Sequence, residues 1–118
     1  MTRVVAYLKD LLTQIHDIED FVADGRTEFF QDRKTQNAVI RSYEVIGEIV
    51  KCLPGEILAD YTNIPWKQIV GFRDFLIHNY DKVDLNFVWN AVEQLSDLRA
   101  AVASMLSTAE ASNDESST

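Results

Sequence analysis

The stretch GFRDFLIHNY, residues 71–80, decides how this chain is read. Phe72, Phe75, Leu76 and Ile77 are the kind of neighbours that anchor a helix to a core, yet Arg73, His78 and Tyr80 share the same short run. At about 100° per residue, positions seven apart nearly eclipse, so Arg73 and Tyr80 project from one face if the helix extends that far. His78 stands about 140° round the axis from Arg73, and one helix alone does not aim the two at a common point. A second copy packed across a two-fold axis would bring the same patch in from the other side and close the gap. Asp74 and His78 are four apart and can touch, which lets Asp74 orient the imidazole or raise its basicity.

Working outward, the rest of the chain is helical in pattern. Val4, Leu8, Leu11, Ile15, Ile18 and Val22 alternate spacings of four and three, the stripe of a first amphipathic helix that stops at Asp24-Gly25. After a polar stretch through Arg26 and Thr27, Val39, Tyr43, Ile46, Val50 and Leu53 repeat the rhythm, and Pro54-Gly55 ends it. The opposite face of that second helix carries Arg41, Glu44, Glu48 and Lys51, a solvated face with local ion pairs in its plain reading, with Arg41 kept as a candidate contact for substrate or partner.

Residues 56–61 suit a short helix or turn, and Pro65 suits the first turn of a third helix, the one that bears the motif. Gly71 inside that helix costs about 1 kcal/mol relative to alanine, which close backbone packing would explain. Asp84 is a good N-cap for a fourth helix with the stripe Ala91, Leu95, Leu98, Val102 and Met105. No strand-like alternation occurs. The expectation is an all-α, four-helix up-down bundle with short additional helical turns, formed by residues 1–107 as one domain, followed by a disordered acidic and polar tail over residues 108–118.

The apolar runs near the start are broken by Lys9, Asp10, Asp17, Glu19 and Asp20, which argues against a signal peptide or a membrane span and for a cytoplasmic protein. Cys52 is the single cysteine, so an internal disulfide or a cysteine-cluster zinc site is excluded. The two histidines are far apart, and none stands at helical ligand spacing with a carboxylate in a known metal motif; no metal and no cofactor are expected.

Arg73, four intervening residues, His78, one residue and Tyr80 reproduce the Arg-x4-6-His signature of HEPN domains, in the Arg-x4-His-x-Tyr form typical of the HepT toxins. Asp74 directly after the arginine is usual there. The segments RSYEVIGEIVKCLP (41–54), IPWKQIVGFRDFLIHNYDKVD (64–84) and NFVWNAV (86–92) also resemble HepT landmarks, so the similarity covers the chain apart from its C-terminal tail. The resemblance implies a HEPN-type bundle, a homodimer with its active site at the two-fold interface, and metal-independent endoribonuclease activity carried by Arg73 and His78. It also implies a toxin-antitoxin system, in which a cognate MntA-like nucleotidyltransferase antitoxin transfers AMP from ATP to the motif tyrosine, here Tyr80. Asp74 and Asn79 would be supporting residues; Asn79 fills a variable position and could hydrogen-bond a phosphate.

The residue types suit that chemistry. RNA carries its own nucleophile, the 2′-hydroxyl, and its attack on the adjacent phosphorus needs a base for the proton and a cation for the charge gathering on the phosphoryl oxygens. Histidine serves the first need near neutral pH and a permanently charged guanidinium the second. Nucleotidylation of Tyr80 would set bulk and a phosphodiester charge beside Arg73 and block RNA.

Charge pulls the other way. The net charge is -8, and setting aside Glu110, Asp114 and Glu115 of the tail leaves -5 on the folded part. Polyanion affinity comes largely from lysine and arginine displacing counterions, so RNA capture must be local, among Arg26, Arg33, Lys34, Arg41, Lys67 and Arg73. Plain alternatives stand beside each role: an ion pair of Arg73 with Asp74 or Asp81, a surface or capping His78, a packed Tyr80. Two further functions stay open, a non-catalytic HEPN subunit that partners a minimal nucleotidyltransferase and a structural dimerisation bundle.

Overall fold

Each long helix forms where an apolar stripe of helical period meets a local start or stop signal. The structure, a computed structural model, describes residues 2–116. Among them are seven α-helices and one short 3-10 turn, with no strand. Helix α1 (Thr2–Phe21) buries Leu8, Leu11, Ile15 and Ile18, the middle of the expected stripe. It stops before Gly25, whose φ of 91° is the left-handed conformation that glycine adopts at no steric cost.

The polar stretch after Gly25 is a further helix, α2 (Arg26–Gln31), which plugs Phe29 into the core against Trp89 at 5.2 Å between ring centroids. Six residues are too few to show a period, so the sequence pattern gives no sign of it. Asp32 then ends α2 and caps α3 (Arg33–Cys52), accepting from the Lys34 amide at 3.1 Å and the Thr35 hydroxyl at 2.7 Å. Those bonds hold the Asp32 carboxyl below its ordinary range, Thr35 contributing most. Leu53 and Pro54 end α3, as expected.

A single turn, α4 (Gly55–Leu58), leads to Trp66, whose indole N–H is shared between the carbonyls of Leu58 and Tyr61 at 3.1 Å each, tying the loop to the start of the next helix. That helix is α5 (Trp66–His78), with Pro65 at its N-cap position and Leu76 sunk in the core. A 3-10 turn (Tyr80–Lys82) follows, and Asp84 caps α6 (Leu85–Glu93) by accepting from the Asn86 amide at 2.9 Å.

The expected fourth helix is two. Gln94, at φ -95° and ψ 2°, separates α6 from α7 (Leu95–Ser116), and neither glycine nor proline marks the break. Helix α7 buries Leu95, Leu98, Ala101, Val102 and Met105, and it continues to Ser116, past the boundary where the sequence predicts a disordered tail at residue 108. Ala109, four residues after Met105, extends the same buried stripe, which is why the helix persists there. Residues 117 and 118 of the expected tail lie outside the described residues.

The molecule is thus an all-α bundle whose four longest helices are α1, α3, α5 and α7. Helix α3 packs against α1, α2 and α5, while α1 packs against α3 and α7, so the long helices run in the order α5, α3, α1, α7 across the bundle. Being terminal in that order, α5 leaves Phe75 and Ile77 about two-fifths exposed, and Tyr80 and Phe87 beyond it are mostly exposed.

Candidate active site on helix α5

Arg73 begins from an unusual seat. A Cβ built on Gly47 of α3 would collide with the Arg73 Cβ, lie 2.9 Å from its Cγ and 3.3 Å from the Ile69 carbonyl oxygen. The missing side chain is what lets α5 settle on α3 with Arg73 at the contact. The expectation that Gly71 serves close packing is corrected by the same measure, for Gly71 is exposed with open space where a Cβ would go.

From that seat the guanidinium reaches two carboxylates. One terminal nitrogen donates to Asp74 Oδ1 at 2.8 Å, and the other forms an ion pair with Glu48 Oε2 at 2.8 Å. The hydrogen bond to Asp74, then the charges of Glu48 and Glu44, keep the guanidinium pKa above its already high ordinary value, burial opposing them. Arg73 Nε is buried without a protein partner. The side chain as a whole is about three-quarters buried.

His78 ends α5 on the exposed flank. Its Nδ1 lies 2.8 Å from the main-chain oxygen of Asp74. A carbonyl only accepts, so Nδ1 carries the proton, and in the neutral ring Nε2 keeps a lone pair. Asp74 therefore does orient the imidazole, but through its carbonyl; its carboxylate goes to Arg73. The ion pair of Arg73 with Asp74, the plain alternative, is present alongside the cross-helix pair with Glu48.

The motif helix does not extend to Tyr80. Asn79 leaves helical geometry at φ -132° and ψ 42°, and both its main-chain and side-chain nitrogens donate to the Phe75 carbonyl, at 2.9 and 3.3 Å. Asn79 is thus the C-cap of α5. Tyr80, 84% exposed, opens the 3-10 turn directly beyond His78.

Of the candidate cations, Arg41 comes near Arg73 through a shared carboxylate, Glu44, whose charge acts on both. Arg41 pairs with Glu44 at 3.3 Å, Arg26 lies over the Phe30 ring at 4.6 Å, and Lys67 lines a groove with Lys51 and Trp66 at the other end of α5 from His78. A cleft of about 310 Å³ opens between α5 and the α6–α7 junction, lined by Tyr43, Ile64, Phe72, Phe87, Asn90 and Leu95 among others, and neither Arg73 nor His78 borders it. Among the described residues no group of three or more His, Cys, Asp or Glu side chains is placed to hold a metal ion. No helix among the described residues is long and apolar enough to cross a membrane.

Sequence reasoning passed over Gly47 and Glu48. Glu48 falls in register with Arg41, Glu44 and Lys51 and reads as solvated, while its partner lies on another helix. A glycine in the middle of an otherwise well-formed helix is the one available signal, and Gly71 carries the same signal with open space beside it.

Comparison with known proteins agrees with the motif. Residues 11–105 match the family model described as ribonuclease HepT-like. A candidate RNase of Methanocaldococcus jannaschii is 47% identical over 90 residues, covering 75% of this chain and 74% of its own. A protein of Thermococcus cleftensis named "Probable ribonuclease HepT" is 40% identical over 89 residues, 75% of this chain and 81% of that one. A candidate RNase of Caldanaerobacter subterraneus is 38% identical over 80 residues, 67% of this chain and 71% of that one. No solved structure matches. A buried-stripe helical bundle carrying Arg73 and His78 on one helix, matched over most of its length, is a member of the ribonuclease HepT-like family.

Proposed function

We propose that this protein is a metal-independent endoribonuclease of the HepT type, acting as a homodimer in the cytoplasm and serving as the toxin of a toxin-antitoxin pair. The observation that carries the proposal is the tautomer of His78: with Nδ1 tied to the Asp74 carbonyl, Nε2 is the free base of an exposed ring on the helix that holds Arg73. His78 takes the proton of the 2′-hydroxyl, the 2′-oxygen bonds to phosphorus, and the 5′-oxygen leaves with the electron pair of the broken P–O bond and takes a proton from water. Arg73 holds the charge that builds on the phosphoryl oxygens. The products are a 2′,3′-cyclic phosphate and a 5′-hydroxyl. End-group analysis of cut RNA tests this step, together with a substrate bearing one 2′-deoxy sugar at the cut position. Cutting of the deoxy substrate at the same bond contradicts it.

Regulation falls to Tyr80. Its exposure suits attack by the phenol oxygen on the α-phosphorus of ATP, with pyrophosphate leaving, in the site of an MntA-like nucleotidyltransferase. Tyr80→Phe should keep cleavage and escape silencing; label from ATP still entering the Phe protein would refute the assignment. A second function, the non-catalytic partner subunit, draws support from the carboxylates on Arg73 and the net charge of -8. Binding of the nucleotidyltransferase by a protein that never cuts RNA would favour it.

A further inference from the structure

Glu48 stands 2.8 Å from Arg73 on a different helix, and nothing in the motif accounts for it. A guanidinium has five N–H groups. Here Nε is buried, one terminal nitrogen donates to Asp74 and keeps a second N–H, and the other stands as an ion pair 2.8 Å from Glu48. Asp74 lies on α5 itself and moves with Arg73, whereas Glu48 fixes the group relative to α3. Taken together, Arg73, Asp74 and Glu48 carry one net negative charge. The arrangement therefore does not raise attraction for a phosphate, and what it supplies is orientation.

We propose that Glu48, brought to the α3–α5 contact by Gly47, is the positioning residue for Arg73, its ion pair holding the guanidinium so that the terminal N–H groups not given to Asp74 face the scissile phosphate. The inference rests on the ribonuclease function above. Removing Glu48 frees a long side chain to sample many rotamers, which lowers the turnover step. It also removes a negative charge near the RNA, which offsets the loss in binding.

The test is kcat and KM on a short RNA for wild type, Glu48→Ala and Glu48→Gln, with equal melting temperatures as the condition for comparison. Glu48→Ala should lower kcat by about ten- to a hundredfold with KM moved less than about threefold. Glu48→Gln, which still offers an oxygen acceptor, should recover most of kcat. An unchanged kcat in Glu48→Ala overturns the proposal, as do equal kcat values and a lowered KM in both variants, since Glu48 would then only compete with phosphate. An independent readout needs no RNA: nitrogen NMR should show separate, slowly rotating terminal nitrogens for Arg73 in wild type and a merged signal in Glu48→Ala. A merged signal in wild type overturns the hold. Should Arg73→Ala cut RNA like wild type, the ribonuclease function itself has failed, and the NMR result still decides whether Glu48 holds Arg73.

Discussion

His78 and Arg73 differ in what fixes them. The imidazole is set within its own helix, by a carbonyl four residues back; the guanidinium is set between helices, by Asp74 and Glu48. The spacing of Asp74 and His78 made their contact legible in the sequence, because four residues is one turn. Which atom of Asp74 serves was not legible, because carbonyl and carboxylate are both within reach. Asp32 offers a separate prediction at this scale. Its carboxyl is depressed by the hydrogen bonds that cap α3, so its stabilisation is present above the ordinary carboxylate pKa and is lost as pH falls through the lower folded value. Asp32→Ala should melt lower than wild type at pH 7, and the gap should narrow as melts are taken toward pH 3. A gap that stays constant over that range contradicts the charge-assisted cap.

Helices were legible to the extent that they carry a period or a punctuation residue. The stripes of α1 and α3, the Pro54 stop and the Asp84 cap are all where the pattern indicates. Helix α2 is too short to show a period, and the break at Gln94 lacks a breaker residue. The two mid-helix glycines look alike in sequence and differ in space. Gly47→Ala forces a methyl into Arg73 and should destabilise by about 1–3 kcal/mol despite the better helix former. Gly71→Ala meets open space and should stabilise by about 0.5–1 kcal/mol. Urea denaturation midpoints measure both, and a stabilising Gly47→Ala would remove the close approach from the account. Loss of cleavage in Gly47→Ala beyond its loss of fold is the functional counterpart.

At the scale of the whole molecule, α5 ends the series of packed helices, and Phe75, Ile77, Tyr80 and Phe87 on it and just beyond it are exposed. Burying part of this apolar surface against a second copy would bring two α5 helices together, the arrangement that the resemblance implies for the active site. Sedimentation should give a dimer, and Phe87→Asp should shift it to a monomer while leaving helicity unchanged; a monomeric wild type at micromolar concentration contradicts this. Net charge, by contrast, says little about the site. The acids Glu44, Glu48 and Asp74 that act on Arg73 are three of the chain's nineteen, and the rest lie elsewhere in the sequence. The most direct measurement is cleavage of a labelled RNA, with chelator present, by wild type, Arg73→Ala and His78→Ala proteins of matched melting temperature. Cutting by wild type and its loss in both variants is the predicted result, and equal cutting by all three would contradict it.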